Sequence, residues 1–121
     1  MSENRTYIDF VQDIVDAIDS IFIFIQDIDY YDFIIDDKTF SAVVRKFEII
    51  GEASNRITKN IQNEYPNIPW KYMVGIRNKI IHDYDGINKA IIWDTIQNDL
   101  AGLSEIMKKM LNELKKENIN P

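Results

Sequence analysis

The sequence predicts an all-α fold, an antiparallel bundle of four to five helices. Apolar residues recur at intervals of three and four through most of the 121 positions, which is the period of an amphipathic helix. No segment alternates apolar and polar residues for long, as a half-buried strand would. The connections are short, so consecutive helices are expected to pack as neighbours. Because the chain has no Pro/Gly/Ser-rich linker, we expect a single domain over residues 1–121.

The first helix is predicted over Tyr7 to Ile28. Aspartates occupy its opposite face, at positions 9, 13, 16 and 27. The run "IFIFI" at 21–25 is too short to span a bilayer and is therefore expected to lie in the core. The apolar stripe consists of Tyr7, Val11, Ile14, Val15, Ile18, Ile21, Phe22, Ile25 and Ile28.

The second helix is predicted to follow "DYYDFIIDDKT", which interrupts the apolar period. Asp37 or Thr39 is a suitable N-cap, because a short oxygen-bearing side chain can accept from a free backbone N–H. Near its buried stripe, Gly51 and Ala53 permit close approach of another helix. The stripe consists of Phe40, Val43, Val44, Phe47, Ile50, Ser54, Ile57 and Ile61.

The third and fourth helices are separated from their neighbours by turn-forming residues. The prolines of "YPNIP" disfavour a helical conformation in the residues that precede them. Pro69 is expected as the first residue of the third helix, which contains Trp70 and continues into the segment around residue 80. Asp85-Gly86 indicates a turn, and Asn88 is expected to cap the fourth helix. Its stripe consists of Ile92, Ile96, Leu100, Leu103, Met107, Met110, Leu111 and Leu114.

The composition excludes several kinds of chemistry. Without cysteine there is no disulfide, no thiol nucleophile and no cysteine metal cluster. The first ten residues lack the basic and apolar regions of a signal peptide, and no segment is long enough to cross a membrane. A cytoplasmic protein without a membrane partner is the expectation.

The charge is unevenly distributed although the net charge is -6. Residues 1–37 carry ten acidic residues and one basic residue, whereas residues 38–82 carry eight basic and three acidic ones. This asymmetry predicts an anionic ligand at the basic segment and a basic partner at the first helix. The alternative is that the charges only solvate two helix faces.

The segment "RNKIIHDYDG" at 77–86 contains the only histidine. Positions four or seven apart share a face of a helix, so Asn78 pairs with His82 and Arg77 with Tyr84. Arg77 and His82 are about 140° apart around a straight helix. A site that uses both therefore needs the helix to end near His82, or a second copy related by a two-fold axis.

These residue types are sufficient to cleave RNA through its own 2′-hydroxyl. An imidazole can act as a general acid or base, and a guanidinium binds a phosphodiester through a planar fork of donors. No metal or other cofactor is then required. The structural alternative places His82 at a helix C-terminus, Arg77 in an ion pair and Tyr84 half-buried.

A second polar set is predicted on the second helix, where Arg45, Glu48 and Glu52 share one edge. Two carboxylates four residues apart can hold magnesium. With an arginine beside them, however, they more often form an ion pair on the helix surface.

The sequence "RNKIIHDY" resembles the R-x-x-x-x-H-x-Y signature, with Asn after Arg, of the HepT-like branch of the HEPN superfamily. Members are small helical toxins of prokaryotic toxin–antitoxin pairs. The segments "FEIIGEASNRI" at 47–57, "YPNIPW" at 65–70 and "IIWDTIQNDLAGL" at 91–103 are also similar to the family's motifs. The resemblance covers nearly the whole chain in order.

This resemblance implies a HEPN-like homodimer that acts as a metal-independent ribonuclease in a cleft shared by two motifs. Arg77 and His82 are then the catalytic pair, Asn78 supports them, and Tyr84 lies near the cleft. The partner implied is a minimal nucleotidyltransferase antitoxin that neutralises the toxin by attaching AMP to the motif tyrosine, here Tyr84.

Two other functions remain open on the sequence. The chain could be a non-catalytic module that presents nucleotide or substrate to a nucleotidyltransferase. It could also be a helical interaction protein in which the motif is only an interface.

Overall fold

The computed structural model describes residues 6–82 and 88–119, with side chains at 6–79 and 88–117. The described residues are almost entirely helical and contain no strand, which confirms the all-α prediction. The helices are α1 (Tyr7–Phe24), α2 (Tyr30–Ile35), α3 (Asp37–Arg56), α4 (Lys59–Glu64), α5 (Trp70–His82), α6 (Lys89–Asn98) and α7 (Leu100–Ile119).

Helix α3 lies at the centre of the bundle and packs against both α1 and α5. Helix α7 covers the other side of α1, and α6 packs on α7. Phe47 and Ile50 of α3 and Met73 of α5 are fully buried where these helices meet. The predicted stripe of residues 92–114 is entirely buried, which confirms the helical period there. This packing fixes the position of α5 against α3.

The first predicted helix, Tyr7 to Ile28, is four residues shorter in the structure. Asp27 adopts a left-handed conformation with φ of 63°, which ends the helical path, and aspartate tolerates this conformation better than most residues. Asp29 and Asp32 then form a reciprocal capping box that begins α2. Within "IFIFI" only part of the prediction is right, because Ile21 is buried whereas Ile23 is 66% exposed.

The second predicted helix begins at Asp37, but the predicted caps are wrong. Asp36 is the N-cap, and its carboxylate accepts hydrogen bonds from the backbone N–H (3.1 Å) and hydroxyl (2.6 Å) of Thr39. These bonds lower the pKa of Asp36. Thr39 is therefore the donor in this cap.

The same helix was predicted to continue to Ile61 and instead ends at Arg56. The buried side chain of Gln62 on α4 donates to the carbonyls of Ser54 (3.3 Å) and Ile57 (3.0 Å). The bond to Ile57 gives a partner to a carbonyl beyond the last turn of α3, and the carbonyl of Ser54 accepts from Gln62 in addition to the N–H of Ile57 at 3.3 Å. Only the apolar period, which continues to Ile61 across the break, suggested one helix.

The remaining boundaries are close to the predictions. Helix α5 begins at Trp70 rather than Pro69, whose carbonyl accepts from the N–H of Met73 at 3.0 Å. Asn88 caps α6 as predicted, accepting from the N–H groups of Ala90 and Ile91. The predicted fourth helix is divided at Asp99, which lies between α6 and α7.

No helix within the described residues has the length and apolar character needed to cross a membrane.

Candidate active site

Helix α5 carries the candidate residues toward its C-terminal end. Arg77 and Asn78 are exposed, and His82 is the last residue of the helix. Tyr84 lies outside the described residues. Helix α5 runs unbroken from Trp70 to His82, so position 82 lies about 140° around the axis from position 77 and about 40° from position 78. Asn78 and His82 therefore occupy one face in register, and Arg77 occupies another.

The position of Arg77 is set by close contact with α3. A Cβ atom built on the buried Gly51 falls 2.8 Å from the Cβ of Arg77 and 3.2 Å from its backbone nitrogen. One atom belongs to the main chain and the other is bonded directly to it, so neither can move without shifting α5. The sequence suggested that Gly51 permits close helix approach, and the structure identifies Arg77 as the residue approached. Glycine inside a helix is destabilising, so a packing reason of this kind is expected.

The neighbouring residue on α3 supplies a counter-charge. The Oε1 atom of Glu52 lies 3.8 Å from the Nε atom of Arg77, and the two side chains are 42% and 48% exposed. This pairing is the one that the structural alternative foresaw for Arg77. At this distance and exposure the pair contributes little stability. It restrains the guanidinium yet leaves a large part of it accessible to an anion.

A polar groove of about 470 Å³ surrounds this ion pair between α3 and α5. We call it the arginine groove, and it is lined by Gly51, Glu52, Asn55, Arg56, Val74, Arg77 and Asn78. It contains two arginines and two asparagines against a single carboxylate, so several of its side chains can donate hydrogen bonds to a phosphate oxygen. Asn55 and Arg56 were not singled out in the sequence. Asn55 and Arg56 follow Glu52 by three and four residues, and this spacing was the sequence signal that the three share one face of α3.

The predicted polar edge of α3 is divided between two partners. Arg45 pairs with Glu48 through Nη1 and Oε2 at 3.6 Å, whereas Glu52 pairs with Arg77. Among the residues that the structure describes, no cluster of three or more acidic or histidine side chains could hold a metal ion. On α3 the ion pairs of the surface alternative are observed.

The amino-acid sequence matches a protein-family model described as "Ribonuclease HepT-like" over residues 14–110. This range includes the arginine groove and position 82. The chain belongs to the HepT-like ribonuclease family.

Several curated relatives are similar to this HepT-like chain over most of their length. A protein of Thermococcus cleftensis named "Probable ribonuclease HepT" is 39% identical over 88% of this chain and 96% of its own. Two proteins of Methanocaldococcus jannaschii, each named "Putative RNase", are 40% and 42% identical over 86% and 79% of this chain, covering 89% and 88% of their own lengths. No solved structure matches the chain. The names of the family and of these relatives indicate a ribonuclease.

Proposed function

We propose that this chain is a metal-independent endoribonuclease, the toxin of a type VII-like toxin–antitoxin pair. Its active site lies in a cleft shared by two copies and uses Arg77 and His82. The observation that supports this most is the exposed guanidinium of Arg77 in the arginine groove, on the helix that also carries the only histidine of a HepT-like ribonuclease.

The reaction needs only groups that this chain supplies. The imidazole of His82 accepts the proton of the 2′-hydroxyl, and the 2′-oxygen forms a bond to phosphorus. The bond from phosphorus to the 5′-oxygen breaks, that oxygen takes a proton from a water molecule, and the imidazolium of His82 returns its proton to the solvent. Arg77 stabilises the charge that develops on the phosphoryl oxygens. The products are a 2′,3′-cyclic phosphate and a 5′-hydroxyl.

Helix α5 ends at His82, which meets the first of the two conditions for a site that uses both residues, and the helical register is consistent with the second condition, a two-fold dimer. Because position 82 is about 140° around α5 from Arg77, the two residues of one copy face different directions on a straight helix. Two copies related by a two-fold axis bring Arg77 of one beside His82 of the other. Asn78, in register with His82, is then the residue that orients the imidazole or donates to the phosphate.

Regulation follows from the family resemblance. We propose that a minimal nucleotidyltransferase antitoxin attaches AMP to Tyr84 in the cytoplasm. An added phosphate brings negative charge and strong hydrogen-bond acceptors, which compete with RNA for Arg77. Because residues 7–37 are acidic, we expect the antitoxin to contact them through a basic surface.

The test is incubation of the purified, unmodified protein with total cellular RNA in excess EDTA. Wild type is expected to cleave, and Arg77→Ala and His82→Ala are expected not to, with cyclic phosphate or 3′-phosphate at the new ends. Lys109→Gln, on the exposed surface of α7, is the control that should cleave normally. Cleavage that persists in His82→Ala contradicts the proposal. Tight binding to the nucleotidyltransferase without cleavage supports the non-catalytic module instead.

A further inference from the structure

A second groove lies on a different side of α5, between that helix and α4. We call it the lysine groove; it encloses about 850 Å³, and Lys59, Lys71 and Lys79 surround the small residue Gly75. All three lysines are exposed, and none forms an ion pair with another described residue. No described carboxylate lines the groove. Among the residues that the structure describes, its three positive charges therefore have no paired carboxylate, in a protein of net charge -6.

The groove is supported by buried residues rather than by a loose loop. Trp70 and Ile76 are buried beneath it, and the indole N–H of Trp70 donates to the carbonyl of Tyr65 at 3.1 Å. Tyr72 at its edge donates from its hydroxyl to Oδ2 of Asp99 at 2.7 Å. Gly75 leaves the floor open, because a Cβ placed there meets no atom within 4 Å. The lysine side chains are therefore exposed above a surface that is packed and hydrogen-bonded.

The register of α5 connects this groove to the catalytic histidine. Positions 75 and 79 precede His82 by seven and three residues, so all three lie on one face of the helix. Lys71 extends the same face by another turn. From Lys71 to Lys79 the helix rises about 12 Å. A stacked nucleic-acid strand carries one phosphate per about 3.4 Å, so this length spans about three to four phosphates.

We propose that the lysine groove binds the phosphate backbone of single-stranded RNA on one side of the cleaved bond and leads it to His82. This inference rests on the proposed ribonuclease function for its ligand. An RNA strand is repelled by the acidic surface of residues 7–37, and it can approach more closely at a groove that no described carboxylate lines. An acidic protein or the acidic helix of a second copy fits the charge equally, but neither accounts for the alignment with position 82.

The test compares two double variants that each remove two charges. Lys71→Gln/Lys79→Gln alters the groove. Lys109→Gln/Lys116→Gln is the matched control on α7, where glutamates are interspersed with the lysines. Fluorescence anisotropy with a labelled 20-nucleotide RNA gives Kd at several salt concentrations, without requiring cleavage. Steady-state cleavage of the same RNA and of a dinucleotide gives KM and kcat for each protein.

The groove variant is expected to bind the 20-nucleotide RNA about tenfold more weakly. The negative slope of log K against log salt should become shallower by about 1.4, since each phosphate contact on single strands contributes about 0.7. Its KM is expected to rise more for the 20-nucleotide RNA than for the dinucleotide. The control variant is expected to retain the wild-type slope.

A glycine pair provides a test that leaves every lysine in place. Gly75→Glu puts a carboxylate into the groove, and Gly102→Glu puts one on α7, where a new Cβ also meets nothing. Only Gly75→Glu is expected to weaken RNA binding. An equal loss in the two glutamate variants overturns the proposal, because the effect is then one of net charge.

The results separate this proposal from the proposed function. If wild type binds RNA through the lysine groove but does not cleave it, the groove proposal stands and the ribonuclease mechanism is overturned. Cleavage with an unchanged salt slope in Lys71→Gln/Lys79→Gln overturns the groove alone. Dissociation of a dimer by that variant, measured by sedimentation equilibrium, also overturns it, because the groove is then an interface between copies.

Discussion

The two sides of α5 carry positive charge in different ways. On the side facing α3, Arg77 packs against Gly51 through its own Cβ and pairs with Glu52. On the side facing α4, Lys71 and Lys79 have no described carboxylate opposite them. A group that stabilises a transition state must be positioned before the reaction, whereas a group that holds a flexible polyanion must be free to adjust. One helix can therefore provide both a fixed catalytic charge and an adjustable binding surface.

The largest effect is expected from Arg77→Lys, which keeps the charge but loses the planar fork. If the side facing α3 performs catalysis, kcat falls by about 100-fold or more, as when a single transition-state donor is removed. Binding of the 20-nucleotide RNA should change little by comparison. If Arg77→Lys has a normal kcat and weakened RNA binding, catalysis and binding are not divided between the two sides of α5 as proposed.

Gly51→Ala tests whether close packing positions Arg77. The new Cβ must displace main-chain atoms of α5, so overpacking is expected to cost about 1–3 kcal/mol of unfolding free energy and to lower kcat as well. The matched substitution Gly75→Ala enters open space and should stabilise the protein by up to about 1 kcal/mol through helix propensity. Chemical denaturation measures both. Equal effects of the two substitutions would show that the contact between Gly51 and Arg77 is unimportant.

Tyr72→Phe tests how firmly the side facing α4 is anchored. Loss of the hydrogen bond to Asp99 is expected to lower the unfolding free energy by about 1 kcal/mol. Burial, and then this bond, raise the pKa of Tyr72 in the folded protein. The folded state thus holds the phenol proton more tightly, so its contribution to stability is present below about pH 10 and is lost as the pH rises further.

Urea denaturation at pH 8 and at pH 11 checks this prediction. Wild type should lose more stability between these pH values than Tyr72→Phe. Part of the loss persists in the variant, because burial also raises the pKa of Tyr65. An identical pH dependence in the two proteins would mean that the Tyr72 proton contributes nothing.

The smallest effect is expected from Glu52→Gln. The ion pair with Arg77 is half exposed and 3.8 Å long, so stability should change by less than about 1 kcal/mol. Because a carboxylate is removed from the arginine groove, KM for RNA should fall about two- to threefold. A loss of kcat as large as that of Arg77→Lys would instead assign Glu52 a decisive role in holding the guanidinium.

The fold was largely predictable because helical periodicity records which residues are buried. The stripes on α3 and in residues 92–114 are buried almost as predicted. The boundaries were less predictable because tertiary contacts set them. Gln62 ends α3 by bonding its carbonyls, and Asp99 receives a hydrogen bond from Tyr72, 27 residues away. Neither contact leaves a local pattern in the sequence.

The candidate residues on α5 were recognised from a motif, but their surroundings were not. Nothing near Gly51 in the sequence identifies Arg77 as its contact, since the two lie on different helices. The lysine groove was visible only as an excess of basic residues over 38–82. Its separation from the arginine groove depends on how α5 is rotated between α3 and α4.

The central claim is that Arg77 and His82 act together across two copies of the chain. The most direct measurement mixes Arg77→Ala and His82→Ala proteins, exchanges their subunits and assays RNA cleavage in EDTA. Each variant alone should be inactive, and a mixed dimer should regain one intact site and therefore up to half of the wild-type activity. A mixed dimer, verified by native mass measurement, that remains inactive would contradict the shared site.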